Sequence, residues 1–281
     1  MLLEVERDLT SKEYELFRRL VYENSGINLG SQKQQLVRAR LGKRLRALGL
    51  RSYREYYEYV CRDRSGAELC ALLDAISTNT THLFREKQHF DFLARTLKQQ
   101  LEDARWRAAN SVLRIWSAGC SSGDEPYSIA MTVADTVGTA LEWKILATDI
   151  STRMLERAKA GWYEVLRLGT VPPLMRQRYF THPPGSDRTL VQVVPELRRR
   201  ITFARLNLMD DSFPFRHGFQ YIFCRNVMIY FDRPTQERLV AKFAAHLRPG
   251  GYLLIGHSES LNSLRHTLRY VQPTIYQRAG P

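Results

Sequence analysis

Two hydrophobic textures follow one another along the chain. From Thr10 to about residue 85 the apolar positions recur at helical spacing and no strand pattern appears. Thr10 to Glu13 reads as a capping box that opens a helix running to about Glu23, and Gly26 ends it. A second helix is predicted from Ser31 to Leu48, stopped by Gly49. On it Val37, Leu41, Leu45 and Leu48 form an apolar stripe, with Arg40, Lys43, Arg44 and Arg46 assigned to the opposite side. Shorter helical patterns follow at 52–61 and 65–76, and a connecting helix near Phe90–Arg105.

From about Val112 the period changes. Val112–Ser117 and Lys144–Thr148 are strand-sized apolar runs, each followed by a helical pattern. Further strands are predicted at Leu190–Val194, Ile201–Ala204, Phe219–Cys224, Tyr252–Gly256 and Tyr270–Tyr276. A helix from Pro234 to Leu247 leads into Arg248-Pro249-Gly250-Gly251, read as a turn. Strands alternating with helices imply a mostly parallel sheet wrapped by helices. The prolines of Leu168–Arg200 break that rhythm and suggest an antiparallel insertion. The expected organisation is therefore a helical domain over 1–85, a linker helix within 86–110, and an α/β domain over 111–281 with a β-subdomain at 168–205.

Charge adds a feature to this outline. The 281 residues carry a formal +13, with a pI near 9.8. The excess is concentrated: eight Lys or Arg lie between Lys33 and Arg54, and no Asp or Glu lies between Asn24 and Arg54. Such a patch suits an acidic partner. Cys61, Cys70, Cys120 and Cys224 form no C-x-x-C pair, which argues against a zinc site or a disulfide framework. No apolar run reaches the length of a membrane span, and Met1–Thr10 lacks the apolar core of a signal peptide. A cytoplasmic protein without a metal is expected.

The candidate chemistry sits where the sheet should open. In parallel sheets ligands bind beyond the carboxyl ends of the strands. Gly119-Cys120-Ser121-Ser122-Gly123 lies there, and its glycines permit close approach of backbone to ligand. Asp149 ends the second strand, placed to accept from both hydroxyls of a ribose. Loop and acid together fit a nucleoside cofactor, either a dinucleotide or S-adenosylmethionine. Asp124-Glu125, directly after the loop, would repel a pyrophosphate and suit a cationic ligand. Both would equally stabilise a helix N-terminus.

Several longer stretches resemble one family, the chemotaxis-receptor protein-glutamate methyltransferases of CheR type. They are residues 77–86 (STNTTHLFRE), 119–128 (GCSSGDEPYS), 147–151 (ATDIS), 223–231 (FCRNVMIYF) and 256–261 (GHSESL). Gly26-Ile27-Asn28-Leu29, Lys33 and the Arg-rich helix also match, so the resemblance covers nearly the whole chain. It implies a Rossmann-like class I methyltransferase domain with a small antiparallel β-subdomain, preceded by a small all-α domain. It implies S-adenosyl-L-methionine as cofactor and S-adenosyl-L-homocysteine as product. By position it places Asn79, Thr81, Arg85 and Gly119 on that cofactor, with Glu125 on its methionine part and Asp149 on its ribose. Asn207 and Leu208 would border the adenine and Arg225 and Asn226 close the far side, while Arg85 and Tyr230 would orient the acceptor carboxylate. The implied partner is the acidic cytoplasmic helical bundle of a chemoreceptor.

That reaction needs no general base, because a glutamate with a pKa of about 4.3 is already ionised at neutral pH. Arg38, Arg40, Lys43, Arg44 and Arg46 would meet the acidic receptor surface. A monomer is expected, touching the membrane only through receptors and binding no nucleic acid. Two rivals stand beside this reading: a nucleic-acid methyltransferase, and a non-catalytic adaptor that senses S-adenosylmethionine. Against the first, Pro172-Pro173 and Pro183-Pro184 lack the neighbours found in amino-methylating enzymes of nucleic acids.

Overall fold

The computed structural model describes residues 8–185 and 187–280. Most of the expected signal-peptide-free segment, Met1–Arg7, lies outside the described residues. Helices α1 (Ser11–Ser25), α2 (Gln34–Leu48), α3 (Tyr53–Arg62) and α4 (Ala67–Ile76) form the all-α unit. Thr10 and Glu13 cap α1 reciprocally, and Gly26 closes it at φ 70°, the left-handed region that glycine adopts without strain. Phe17, Val21, Val37, Leu41, Leu45, Tyr56 and Leu72 are fully buried and make its core.

Helices α5 (Gln88–Glu102) and α6 (Ala104–Ala109) follow. The expected single linker helix is thus two helices, broken where Asp103 leaves helical geometry to cap α6. Nor is α5 a free connector, since Phe92, Leu93 and Leu97 enter the core beneath the sheet.

The α/β unit runs β1 (Val112–Ala118), α7 (Asp124–Val137), β2 (Glu142–Asp149), α8 (Thr152–Ala160), β3 (Trp162–Glu164), α9 (Pro173–Tyr179), β4 (Phe180–Thr181), β5 (Leu190–Val193), α10 (Pro195–Arg198), β6 (Ile201–Arg205), β7 (Phe219–Cys224), α11 (Arg233–His246), β8 (Leu247–Ile255), β9 (Arg269–Gln272) and β10 (Ile275–Gln277). Seven strands make one sheet in the order β6-β2-β1-β7-β8-β10-β9. Its first five strands are parallel, and β10 is antiparallel to both neighbours. Side chains alternate across β1: Leu113 and Ile115 enter the core shared with α5 and α7, while Trp116 and Ala118 enter the core on the other face.

Four expectations change here. The antiparallel insertion is a three-stranded sheet, β3-β5-β4, that begins at Trp162 rather than 168. Ile201–Arg205, assigned to that insertion, is instead the edge strand of the main sheet, paired in parallel with β2. Arg248–Gly251 is strand rather than turn, because the β7–β8 ladder carries a register shift there that absorbs Gly250 at φ 76°. The predicted strand at 270–276 divides into β9 and β10 around Thr274, which takes φ 65°. No helix among the described residues is long and apolar enough to cross a membrane, and all four cysteines are free.

Candidate active site

A cavity opens at the carboxyl ends of β1, β2 and β7, roofed by the all-α unit. Asn79, Thr81, Arg85, Gly119, Glu125, Asp149, Asn207, Leu208, Arg225, Asn226 and Tyr230 all line it. Ser25 at the end of α1, and Ile27, Leu29 and Lys33 from the loop and 3-10 turn after it, also line it. That loop is fastened in place by backbone and side-chain bonds. Asn28 N–H donates to the Tyr230 carbonyl (2.8 Å), Asn207 Nδ2 to the Asn24 carbonyl (2.7 Å), and the Tyr22 hydroxyl to Asp232 (2.6 Å).

The loop between β1 and α7 explains its glycines. Gly119 has φ 84°, and a β-carbon there would land on Val227 Cγ2; one on Gly123, at φ 89°, would press on Ala158 at 2.9 Å. The Asp149 carboxylate accepts from the Ser121 amide (2.8 Å) and the Ser151 amide (2.9 Å), one bond per oxygen. A carboxylate has about four acceptor sites, so two stay available to a vicinal diol. Glu125 accepts from the Ser117 hydroxyl (2.7 Å) and from Arg225 Nη1 (3.1 Å), and also retains acceptor capacity. Burial raises the pKa of both Asp149 and Glu125; backbone amides oppose it at Asp149, and Arg225 and Ser117 at Glu125.

The paired acids do not share one role. Asp124 is fully buried and faces away, held by Arg167 Nη2 (2.8 Å) and the Ser122 hydroxyl (2.6 Å). Consecutive helical positions diverge by about 100°, so only Glu125 meets the cavity.

Arg225, 6% exposed, organises the far wall. Its guanidinium meets Glu86 Oε2 (3.0 Å), Glu125 Oε2 (3.1 Å) and the Arg85 carbonyl. Burial opposes ionisation of Glu86. Arg225, the His257 amide and Asn226 outweigh it and hold the carboxyl below its usual range. Glu86, His89 and His257 bring ligand atoms within 4.8 Å of one another. Arg225 already neutralises that carboxylate, so the cluster reads as a brace for Arg225 and Asn226. Glu86 and His89 escaped the sequence reading, the first despite following Arg85 directly.

Backbone strain gathers here. Phe84 (φ 53°), Glu86 (φ 56°), Ser121 (φ 47°) and Asn226 (φ 58°) are left-handed non-glycines, and all border the cavity or flank Arg85. Such residues persist where surrounding structure over-determines them, as at binding sites. The segments 77–86 and 119–123 are stitched together by Ser121 Oγ donating to the Asn79 carbonyl (3.1 Å).

The charged face of α2 is less free than its composition suggests. Arg44 makes a two-pronged pair with Glu68 (2.5 and 2.7 Å), and Arg40 donates to the carbonyls of Ile76 and Ser77. At about 100° per residue both lie on the flank of the apolar stripe, not opposite it. Lys43 and Arg46 do lie opposite, exposed and without an ion pair among the described residues, and Arg38 pairs with Asp8 (2.6 Å).

Residues 79–277 match the family model described as CheR methyltransferase, SAM binding domain, and residues 12–77 match CheR methyltransferase, all-alpha domain. The chain belongs to the CheR methyltransferase family. Among curated relatives, the chemotaxis protein methyltransferase of Borreliella burgdorferi is 39% identical over 274 residues, covering 96% of this chain and 95% of that protein. Chemotaxis protein methyltransferase 2 of Pseudomonas aeruginosa is 40% identical (96% and 94% covered), and that of Salmonella typhimurium 41% (92% and 88%). This chain is thus an S-adenosylmethionine-dependent methyltransferase. The cavity fits that cofactor chemically. Asp149 keeps two acceptors for a ribose, Glu125 faces inward for a cation, and the Gly119 turn lets backbone approach closely.

Proposed function

We propose that this methyltransferase esterifies glutamate side chains on the cytoplasmic helices of chemoreceptors, forming γ-glutamyl methyl esters. The observation that carries this reading is the polarity of the cavity. It is lined on the one hand by the carboxylates Glu125 and Asp149, and on the other by Tyr230 and by Arg85, whose guanidinium donates to the Thr80 carbonyl (3.0 Å) and has no carboxylate partner among the described residues. A cationic cofactor suits the first side and an anionic acceptor the second. S-adenosylmethionine supplies an electrophilic methyl on a sulfonium, and the rest falls to the protein.

In this reading Asp149 anchors the ribose, Glu125 receives the methionine ammonium, and Asn207 and Leu208 border the adenine. The Asn207 side chain is committed to Asn24 and the Met209 amide, so its contribution is to shape that wall. Arg225 and Asn226 close the far side, with Asn79 and Thr81 opposite. Arg85 and Tyr230 aim the acceptor carboxylate, which attacks already ionised. Opposite charges cancel along the reaction, so alignment in a dry site is the main requirement.

The test is transfer of labelled methyl to a receptor cytoplasmic fragment, followed by mild alkali. Ester formation releases volatile labelled methanol. Label that survives alkali, as N-methyl groups do, would exclude glutamate as the acceptor.

A further inference from the structure

The all-α unit contributes one cation to the cavity among the described residues, Lys33. We infer that Lys33 is a substrate-binding residue, its ammonium receiving the acceptor carboxylate together with Arg85 across the ring of Tyr230. The inference rests on the glutamate reading given above.

Three observations support it. The first is placement. Lys33 ends a short 3-10 turn, its amide donating to the Gly30 carbonyl (2.9 Å), which also accepts the hydroxyl of buried Tyr14 (2.7 Å). A few residues earlier Asn28 N–H bonds the Tyr230 carbonyl (2.8 Å). The turn bearing Lys33 is thereby registered against the segment bearing Tyr230, and Nζ lies 5.5 Å from that ring's centroid.

The second is the lack of a counter-charge. Among the described residues no carboxylate pairs with Lys33, although it is half-buried. Neighbouring cations are spent within the fold: Arg38 on Asp8, Arg40 on two carbonyls, Arg44 on Glu68. A partly desolvated ammonium over an aromatic face is a receptor for an anion still to come.

The third is the distribution of charge. Arg225 is committed to Glu86 and Glu125. The cavity cations open to an incoming carboxylate are therefore Arg85 and Lys33, one from each side of the domain junction. During transfer a carboxylate oxygen forms the new C–O bond as the C–S bond breaks, and the electron pair stays on sulfur. No proton moves. The ester product is neutral, so the two cations that hold the substrate lose their grip on the product.

The experiment uses the full chain, the methanol-release assay and the variants Lys33→Met and Lys33→Arg. Lys33→Met should lower kcat/KM for the receptor fragment by about 10–100-fold, the loss expected for one charge-assisted hydrogen bond. Affinity for S-adenosylhomocysteine, measured by calorimetry, should change less than about twofold, because a charge-assisted contact to the acceptor alone does not reach the cofactor. Lys33→Arg should recover most of the loss while melting like the wild type. An unchanged kcat/KM in Lys33→Met would overturn the assignment, as would an equal fall in cofactor affinity or an arginine variant as impaired as the methionine one. Wild-type protein that yields no alkali-labile methyl would instead defeat the glutamate reading itself.

Discussion

Each half of the molecule pairs an arginine with glutamate, to different ends. In the all-α unit Arg44 clamps Glu68, which is 5% exposed and also accepts the Tyr56 hydroxyl (2.8 Å). One cation meets one anion, with core packed around them. In the α/β unit Arg225 meets two carboxylates, Glu86 and Glu125, and Asp149 lines the same cavity. That cluster carries more negative than positive charge and borders open space. A balanced pair is finished as structure, whereas an unbalanced one beside a cavity is prepared for a cationic ligand. The same residue types thus hold a fold in one place and a site in the other.

Removing Arg225 should have the largest effect. Arg225→Met leaves two buried carboxylates without their cation, an uncompensated-charge cost of about 3–5 kcal/mol. It also frees Glu125 and the Arg85 backbone, and small misplacements in a methyl-transfer site cost on the order of 100-fold in rate. Thermal melting with S-adenosylhomocysteine calorimetry measures both. Cofactor affinity within a few-fold of wild type would break the contrast, because Arg225 would then be a structural brace like Arg44.

Arg44→Met is the matching change in the other half. It strips Glu68 of its partner at a cost of about 2 kcal/mol, kept low because Arg44 itself is about one-third exposed. The melting temperature should fall while kcat/KM per folded molecule stays put. A loss of receptor methylation without a loss of stability would return Arg44 to the docking surface.

How far this contrast could be read from the sequence depended on distance along the chain. The Gly119–Gly123 turn, Asp149 and the strand–helix rhythm are local, and each appears where its residues predict. Glu125 was legible as an acid at a helix start, but only the helix's rotation separates it from Asp124. Glu86 and Arg225 stand 139 residues apart in sequence, and no local pattern announces their contact. Arg40 and Arg44 looked free because their partners lie outside the acid-free stretch: Glu68, and the carbonyls ending α4. Arg248–Gly251 reads as a turn because glycine and proline usually mark one, whereas here they make an irregular strand start.

His89 sharpens the contrast through pH. Burial, aided by Arg225 and His257, lowers its pKa to about 3 against the opposing pull of Glu86. The unfolded chain protonates near 6.5, so between the two values it binds one more proton than the native protein. This contribution is therefore intact above about pH 6.5 and lost as pH falls, by up to about 1.4 kcal/mol per unit. His89→Gln should flatten the decline of stability between pH 6.5 and pH 5 by about 2 kcal/mol. Parallel wild-type and variant curves would place the imidazole in a wetter setting than its 1% exposure indicates.

The smallest effect concerns the cations that neither cluster uses. Lys43 and Arg46 point away from the α2 stripe, exposed and free of ion pairs among the described residues. Surface charges of this kind steer a partner and set its encounter rate without supporting the fold. Lys43→Glu with Arg46→Glu should leave melting unchanged and lower receptor methylation about 3–10-fold at low salt, a difference that ionic strength near 0.5 M should erase as the screening length contracts to about 4 Å. The corresponding reversal of Arg40 and Arg44 should behave oppositely, lowering stability at every salt concentration, because those side chains are bound inside the unit. Unchanged low-salt rates in the Lys43 and Arg46 variant would remove α2 from the docking surface and leave its charge as solvation alone. A salt-dependent loss confined to that pair would divide the helix into one edge that holds the domain and one that finds the substrate.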